Sequence, residues 1–355
     1  MLKQIKPPLN VEGKWIKNIK GEKIKLRGVC LPDIEAMVKG DRSHGQPTSY
    51  KDIIDILIKK NWNANVVRLT IHDHIKDEIG EYGWQLHKPE FYYNEYIYPV
   101  ASYLIENGFY IIIDWHLGAD IEYSKAYKKV IPFWNFICKS ELNNHPQVLF
   151  EIYNEPKDGL WNDWYNYAQE WINAIRSGNW EKYKLSATEP SDNLILAGGP
   201  KWSQILPTSD SDKIFTGKNI IYTCHIYSEH CYKTGQVPNW FEFIIQRAPV
   251  FLTEWGYVKD DLPNSGPSSL IPKNFCTFFR KYVDSYENLS WTAWCFDYVY
   301  RPFMFDIHWN LLGNGQCNTK NIFRDKEAGF GWDLTSYPDS YENYMGQFTK
   351  DWLNT

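Results

Sequence analysis

The chain has 355 residues, of which 43% are hydrophobic and 17% aromatic, and its formal net charge at neutral pH is −5. This charge excludes the basic surface that nucleic-acid binding requires, and no segment approaches the roughly 20 consecutive apolar residues of a membrane-spanning helix. We expect one domain over residues 1–355 that acts as a monomer without nucleic-acid or membrane partners, because barrels of alternating strands and helices often reach this length.

The first predicted element is an N-terminal β-hairpin. Its strands cover Lys14–Ile19 and Glu22–Leu26, on either side of a turn at Lys20 and Gly21. Eight short apolar segments then each predict a buried strand, with room for a helix between them. They are Ile24–Cys30, Ala64–Ile71, Phe109–Trp115, Val148–Asn154, Asn193–Ala197, Asn219–His225, Pro249–Thr253 and Leu289–Phe296.

Helical patterns, with apolar residues three and four positions apart, lie between these segments. They cover Tyr50–Lys60, Phe91–Asn107, Trp161–Arg176 and Asn274–Tyr286, and a last helix is predicted near Ser340–Leu353. Eight strands separated by helices predict an α/β fold, the (β/α)8 TIM barrel, here with an N-terminal β-hairpin.

Polar residues stand at the C-terminal ends of the predicted strands, which is where barrels of this kind carry their chemistry. Glu155 lies near the C-terminal end of VLFEIYNEP (148–156), and Glu254 lies near the C-terminal end of APVFLTEWG (248–256). Ionisable groups are costly to bury unpaired, so a shared site explains them better than independent structural roles. The other candidate residues at or near strand ends are Arg68, His116, Asn154, His225, Tyr227 and Trp294.

The chain resembles glycoside hydrolase family 5 of clan A, the cellulase family. The resemblance covers nearly the whole chain and rests on the ordered motifs RGV (27–29), VRL (67–69), DWH (114–116), NEP (154–156), HIY (225–227), TEWG (253–256) and WTAW (291–294). It implies that Glu155 is the general acid and base and that Glu254 is the nucleophile. It also implies that Trp202 stacks a sugar on the leaving-group side. The remaining active-site positions of the family correspond to Arg68, His116, Asn154, His225, Tyr227 and Trp294.

Retaining cleavage of a glycosidic bond requires one carboxylic acid that protonates the leaving oxygen and one carboxylate, about 5 to 5.5 Å away, that attacks the sugar. We expect Arg68 and the Tyr227 hydroxyl to stabilise the ionised form of Glu254. The negative charge of Glu254 then favours the protonated form of Glu155, and His225 is expected to tune Glu155.

These residues predict a retaining endo-β-1,4-glucanase that acts by double displacement on a β-linked polysaccharide or oligosaccharide, without metal or organic cofactor. Asn154 is expected to bond the sugar 2-hydroxyl, and Trp294 is expected to lie beneath the sugar at the cleavage point. A β-mannanase, another β-glycanase and an exo-acting β-glycosidase stay open, because substrate choice depends on loops. A non-catalytic carbohydrate-binding barrel is the alternative from another class.

Several candidates have structural alternatives. For Arg68 the alternative role is to neutralise Glu151. Residues 151 and 155 are an even number of positions apart, so on a strand both side chains would point into the barrel. Packing alone is the alternative role for His116, His225, Trp202 and Trp294. A metal site at His72, Asp73 and His74 is disfavoured, because adjacent residues on an extended segment point in different directions. Weaker sugar-binding candidates are Trp161, Trp164 and Trp309.

Two stretches carry no recognisable motif, the loop Gly118–Lys129 and the Gly- and Asn-rich segment Leu312–Asp339. The second segment either walls one end of a cleft or caps a pocket, so endo- and exo-action both stay open. Seven cysteines, odd in number and without CxxC spacing, favour reduced thiols over a disulfide framework or a zinc site. The N-terminus MLKQIKPPLN lacks the apolar region of a signal peptide, so we expect a cytoplasmic protein or a secreted one whose leader has been removed.

Overall fold

A computed structural model describes residues 2–43, 47–77, 79–117, 123–157, 159–231, 236–257, 275–312 and 345–355. The strands in chain order are β1 (Leu9–Glu12), β2 (Trp15–Asn18), β3 (Arg27–Cys30), β4 (Val66–His72), β5 (Ile75–Lys76), β6 (Glu81–Tyr82), β7 (Tyr110–His116), β8 (Val148–Glu151), β9 (Leu194–Ala197), β10 (Ile220–Tyr227), β11 (Val250–Gly256) and β12 (Leu289–Ala293). Eight of them, β3, β4, β7, β8, β9, β10, β11 and β12, form a closed parallel barrel in that order. The predicted (β/α)8 barrel is confirmed.

The helices surround this barrel. They are α1 (Ile34–Lys39), α2 (Tyr50–Lys59), α3 (Pro89–Tyr92), α4 (Tyr98–Glu106), α5 (Tyr123–Ile137), α6 (Trp161–Ser177), α7 (Pro200–Ser203), α8 (Phe275–Asp284) and α9 (Met345–Leu353). Helix α2 begins where the Ser49 side chain accepts a hydrogen bond from the backbone N–H of Asp52, and it buries Ile53, Ile54 and Leu57. Among the helices described, none has the length and apolar composition needed to cross a lipid bilayer.

Two helix predictions differ from the structure in detail. The predicted helix Phe91–Asn107 is divided into α3, a π-helical turn (Tyr93–Ile97) and α4. Pro99 has no N–H to donate to the preceding turn, which accounts for the altered hydrogen bonding just before it. Helix α5 was not predicted, and it contains residues 123–129 of the unassigned loop, whereas residues 118–122 lie outside the described residues.

The N-terminal hairpin is present, but its predicted bounds are wrong. Strands β1 and β2 pair around Gly13, which adopts a left-handed conformation with a φ of 58°. The predicted second strand, Glu22–Leu26, contributes only an isolated bridge between Lys17 and Lys23. The Asn18 side chain accepts hydrogen bonds from the backbone of Lys20 and Glu22, which turns the chain away after β2.

Apolar side chains form two main groups in this fold. One group packs between the barrel strands and the surrounding helices, and the other fills the barrel interior beneath the hairpin, where Leu9 and Ile16 contact the inward residues Leu26 and Val66. Five cysteines in the described residues, Cys30, Cys138, Cys224, Cys231 and Cys295, are unpaired and buried. Most of the segment Leu312–Asp339, from residue 313 onwards, lies outside the described residues, as do predicted helix residues 340–344.

Candidate active site

The carboxylates Glu155 and Glu254 stand at the same mouth of the barrel. Glu155 follows β8, and Glu254 lies in β11 directly beside His225 of β10. A carboxylate oxygen of each and a ring nitrogen of His225 all lie within 4.8 Å of one another. In the part of the chain that the structure describes, this is also the one group of three such side chains close enough to hold a metal ion. The two carboxylates are thus separated by a gap of the size that one glycosidic bond requires.

Glu254 is held in its ionised form by its surroundings. Arg68 Nη1 donates to its Oε1 at 2.8 Å, and the Tyr227 hydroxyl donates to its Oε2 at 2.5 Å. Burial by itself would raise the pKa of Glu254, but the charges of His225 and Arg68 and the Tyr227 hydrogen bond lower this pKa to about 2. At neutral pH the side chain is therefore an anion with a fixed orientation, as a nucleophile must be.

Glu155 has a different environment, and its partner is His225. The His225 Nδ1 lies 2.7 Å from Glu155 Oε1, and its Nε2 lies 3.0 Å from the Thr253 hydroxyl. Burial lowers the pKa of His225, yet the charge of Glu254 and the bond to Glu155 raise it overall. The Glu155 side chain is 20% exposed and that of Glu254 only 5%, so Glu155 is the carboxylate on the open side.

Arg68 connects the site to the barrel interior. Its Nη1 binds Glu254 as above, while its Nε donates to Glu151 Oε2 at 2.6 Å. Its Nη2 donates to Asn154 Oδ1 at 2.7 Å and lies 3.0 Å from Asp114 Oδ2. Arg68 therefore contacts both of the carboxylates considered as its partners, Glu151 and Glu254.

Asn154 and His116 are oriented by the same network. Because the Asn154 Oδ1 accepts from Arg68, its Nδ2 faces His116 Nε2, at 3.5 Å. His116 Nδ1 lies 2.5 Å from Asp114 Oδ2. Burial, together with the charges of His72 and Arg68, lowers the pKa of His116 well below its usual value. The neutral ring then donates from Nδ1 to Asp114 and accepts at Nε2 from Asn154.

Two tryptophans complete the predicted set. Trp294 is nearly buried and stacks on His116, with ring centroids 5.3 Å apart and planes 7° apart. Its other neighbours include Tyr300, at 6.1 Å between centroids. Trp202 is 42% exposed, so it is not a core residue.

Trp202 lies in the short element α7, whose residues 201–203 form a left-handed turn instead of a right-handed helix, with φ values between 53° and 58°. Such a turn is strained for residues with side chains, and the surrounding structure must hold it. Backbone bonds run from Lys201 N to Lys157 O and from Trp202 N to Pro156 O, at 2.9 and 3.0 Å. The Ser203 hydroxyl donates to the backbone oxygen of Asn154 at 2.8 Å. The turn therefore fixes Trp202 against the segment that carries Glu155.

Of the other candidates, His72 borders the site, because its ring packs against His116 with ring centroids 4.6 Å apart. His72 pairs with Asp33, Asp73 with Lys129, and His74 with Glu81, so the three side chains have separate partners. The rings of Trp161, Trp164 and Trp309 are buried, and each donates its Nε1–H to a backbone oxygen. Packing explains these three tryptophans.

Asp114 and Thr253, which hold His116 and His225, were not among the predicted site residues. A carboxylate inside the apolar run IIIDWH was the available signal for Asp114, since a buried acid requires a partner. Tyr300 was also missed. It follows the last barrel strand in a stretch without regular structure, and no sequence signal pointed to its contact with Trp294.

Comparison with known proteins gives related sequences and a related fold. Endoglucanase Z of Dickeya dadantii is 31% identical over 241 residues, which cover 66% of this chain and 49% of that protein. An endoglucanase of Clostridium saccharobutylicum is 28% identical over 286 residues, 77% of this chain and 57% of that protein. The chain thus spans about half the length of these relatives.

The fold is similar to that of the catalytic domain of Thermobifida fusca endoglucanase Cel5A in complex with cellotetraose. The TM-score is 0.65 and the identity 20%, over 98% of this chain and 97% of that one. The sequence model of the family described as Cellulase (glycosyl hydrolase family 5) matches residues 18–299. Because this match covers most of the 355 residues, the chain belongs to glycosyl hydrolase family 5, the cellulase family.

Proposed function

We propose that this protein is a retaining endo-β-1,4-glucanase that hydrolyses β-linked glucan chains by double displacement. The observation that carries the proposal is the pair Glu155 and Glu254, within 4.8 Å of each other and in unlike surroundings. One carboxylate is anionic and buried, and the other is more open and paired with His225. Retaining glycosidases divide the work between two carboxylates in this way. The endoglucanase names of the curated relatives support the same substrate class.

In the first step Glu254 attacks the anomeric carbon, and the bond from this carbon to the leaving oxygen breaks. Glu155 gives its proton to that oxygen, and a glycosyl ester forms on Glu254. The negative charge of Glu254 is lost in the ester. In the second step Glu155 takes a proton from water, the water attacks the anomeric carbon, and Glu254 is released as a carboxylate. His225, bonded to Glu155, is placed to stabilise its anionic form between the steps.

The remaining residues bind the substrate. Arg68 fixes the Asn154 amide with its N–H groups away from the guanidinium, so Asn154 is a donor for the sugar 2-hydroxyl. This bond strengthens in the oxocarbenium-like transition state. Trp294 supplies the apolar face beneath the sugar at the cleavage point, and Trp202 supplies one on the leaving-group side.

Glu155→Gln is expected to separate substrates by their leaving groups. On glucan, kcat/KM falls about 10²- to 10⁴-fold, because no acid protonates the departing oxygen. On an aryl cellobioside with an acidic phenol, kcat/KM changes little, because the phenolate leaves without a proton. Initial rates on both substrates provide the measurement, with the exposed Glu106→Gln as the matched control. Equal losses on both substrates would contradict the acid role.

Trp202→Ala is expected to raise KM for long glucans about three- to tenfold, or about 0.7–1.4 kcal/mol, with kcat nearly unchanged. The exposed ring is lost, whereas the catalytic carboxylates are untouched. Ile19→Ala is the control, because Ile19 is also exposed (72%) but directly follows β2 of the N-terminal hairpin, which packs on the N-terminal ends of the barrel strands near Leu26 and Val66. An aryl cellobioside has no sugar on the leaving-group side. A similar KM change on this substrate would therefore contradict the role of Trp202 on that side.

Substrate class and mode of action are tested on the wild-type protein. Rates on carboxymethylcellulose and on β-mannan decide between glucanase and mannanase, and faster mannan cleavage would overturn the proposal. Endo-action predicts that the viscosity of carboxymethylcellulose falls steeply while few reducing ends appear. A viscosity that falls slowly, in step with the release of reducing ends, indicates exo-action. Glucan binding without any release of reducing sugar favours the carbohydrate-binding barrel.

A further inference from the structure

Two acids that the proposed reaction does not use lie beneath the active site. Asp114 of β7 and Glu151 of β8 are directly paired in the parallel register of these strands, and both are fully buried. Both face Arg68, whose Nη2 lies 3.0 Å from Asp114 Oδ2 and whose Nε donates to Glu151 Oε2 at 2.6 Å. The two side chains therefore share one guanidinium and one small volume inside the barrel.

The charges around Arg68 do not balance if every carboxylate is ionised. Arg68 contacts Asp114, Glu151 and Glu254, so three anions would surround one permanent cation in a buried site. An uncompensated buried charge is costly. His116, which also bonds Asp114, is neutral as described above and adds no positive charge.

One oxygen of each buried acid also lacks a donor. For Asp114 Oδ1 and Glu151 Oε1 the described residues supply no hydrogen-bond partner, although both atoms are buried. Buried polar atoms are paired in the great majority of cases. A proton on one of the two carboxyl groups would remove the surplus negative charge and would also supply the donor that the other carboxyl lacks.

We propose that Asp114 and Glu151 hold one proton between them and act together as positioning residues that keep Arg68 directed at Glu254. With one proton on the pair, the pair and Glu254 carry two negative charges, which Arg68 and protonated His225 balance. Burial raises the pKa of each carboxyl to about 7, against the opposing charge of Arg68. Such closely coupled groups titrate as a pair. The titratable and charged groups that act on the pair from other strands are Arg68, His72, His116, His225 and Glu254. Cys30 contacts Arg68, with its Sγ 3.9 Å from Nη1.

The proton can be tested through the pH dependence of stability. In the unfolded chain both carboxyls ionise above about pH 4, whereas the folded pair keeps one proton until about pH 7. The folded state therefore binds more protons in this window, and its stability relative to the unfolded state falls as pH rises. Glu151→Gln imitates the protonated acid, since its carbonyl accepts from Arg68 and its amide donates toward Asp114, but it cannot titrate.

The unfolding equilibrium constant of the wild type should rise with pH as the proton is lost, whereas Glu151→Gln lacks this proton. We therefore expect the ratio of the two constants, Glu151→Gln over wild type, to decrease about tenfold per pH unit between about pH 5 and about pH 6.5. Urea denaturation of both proteins at several pH values provides the measurement. Asp114→Asn should give the same slope, because either variant removes the same single proton. A ratio that is constant with pH would overturn the proposal. In the double variant Asp114→Asn with Glu151→Gln the slope should stay tenfold, whereas a hundredfold slope there would show two independent protons and would overturn the shared one.

Infrared spectroscopy tests the same proton without denaturation, in the Glu155→Gln background so that the general acid does not contribute. One protonated carboxyl C=O stretch should be present there at about pH 6 and should disappear when either Asp114→Asn or Glu151→Gln is added; its absence before that addition contradicts the proposal. The positioning role rests on the proposed function, and kcat tests it. In the double variant Asp114→Asn with Glu151→Gln, kcat should fall about tenfold or more, with a smaller change in KM. An unchanged kcat removes the positioning role, whereas a wild type inactive on every glycan refutes the proposed function and leaves the stability test intact.

Discussion

Glu254→Gln is expected to lower kcat on glucan by about 10⁴- to 10⁶-fold, which is the scale of losses when a covalent nucleophile is removed. The amide has nearly the same shape as the carboxylate; its oxygen can still accept from Arg68, and its NH2 group can donate to the Tyr227 hydroxyl oxygen. It carries no negative charge and cannot form a stable glycosyl ester. Release of reducing sugar from carboxymethylcellulose, measured over long incubations, checks this loss.

The smaller variant Glu254→Ala distinguishes a nucleophile from a structural residue. Azide can enter the space left by the side chain and restore cleavage of an aryl cellobioside, with inversion at the anomeric carbon. Azide with Glu155→Ala should instead give a product of retained configuration. Reducing-sugar release that persists in both alanine variants would refute the assignment of the two carboxylates.

Glu254→Gln is also expected to change the stability of the folded protein at acid pH. The pKa of folded Glu254 is about 2, below the ordinary value near 4.5, so its ionised form stabilises the folded protein above that ordinary value. This contribution is lost as pH falls toward 2. The stability curve of Glu254→Gln should therefore be flatter than that of the wild type between these values.

Arg68→Met is expected to lower the free energy of unfolding by about 3–5 kcal/mol at neutral pH. Methionine fills part of the volume, but it leaves Asp114, Glu151 and Glu254 buried near one another without their shared cation. Urea denaturation followed by tryptophan fluorescence provides the measurement. Activity should fall as well, because Arg68 orients both Glu254 and Asn154.

The pH dependence of this loss identifies its cause. Without Arg68 the pKa values of the buried acids rise, so protonation at about pH 5 relieves part of the destabilisation that is present at about pH 7. Arg247→Met is the matched control, because Arg247 forms an exposed ion pair with Asp210, and such pairs contribute about 0–1 kcal/mol. A loss that is equal at both pH values would point to lost packing and not to unpaired charge.

The sequence by itself determined the barrel and the two carboxylates. Runs such as VLFE and VFLTEWG are too apolar to lie outside a core, and their length and β-branched content favour strands over helices. Once eight such strands alternate with helices, closure into a barrel places their C-terminal ends at one mouth. Glu155 and Glu254 could therefore be assigned to one site although 98 residues lie between them in the chain.

Only the tertiary structure decided which side chains contact one another. No sequence pattern indicates that one guanidinium contacts Glu151, Asp114, Asn154 and Glu254, because these contacts join β4 to the regions of three other strands and depend on their register. The left-handed turn at Trp202 was likewise decided by hydrogen bonds to residues distant in the sequence, Pro156 and Lys157, which overcome local preference. Local sequence sets the period of apolar residues, whereas charge pairing and backbone strain depend on neighbours that the chain acquires only when it folds.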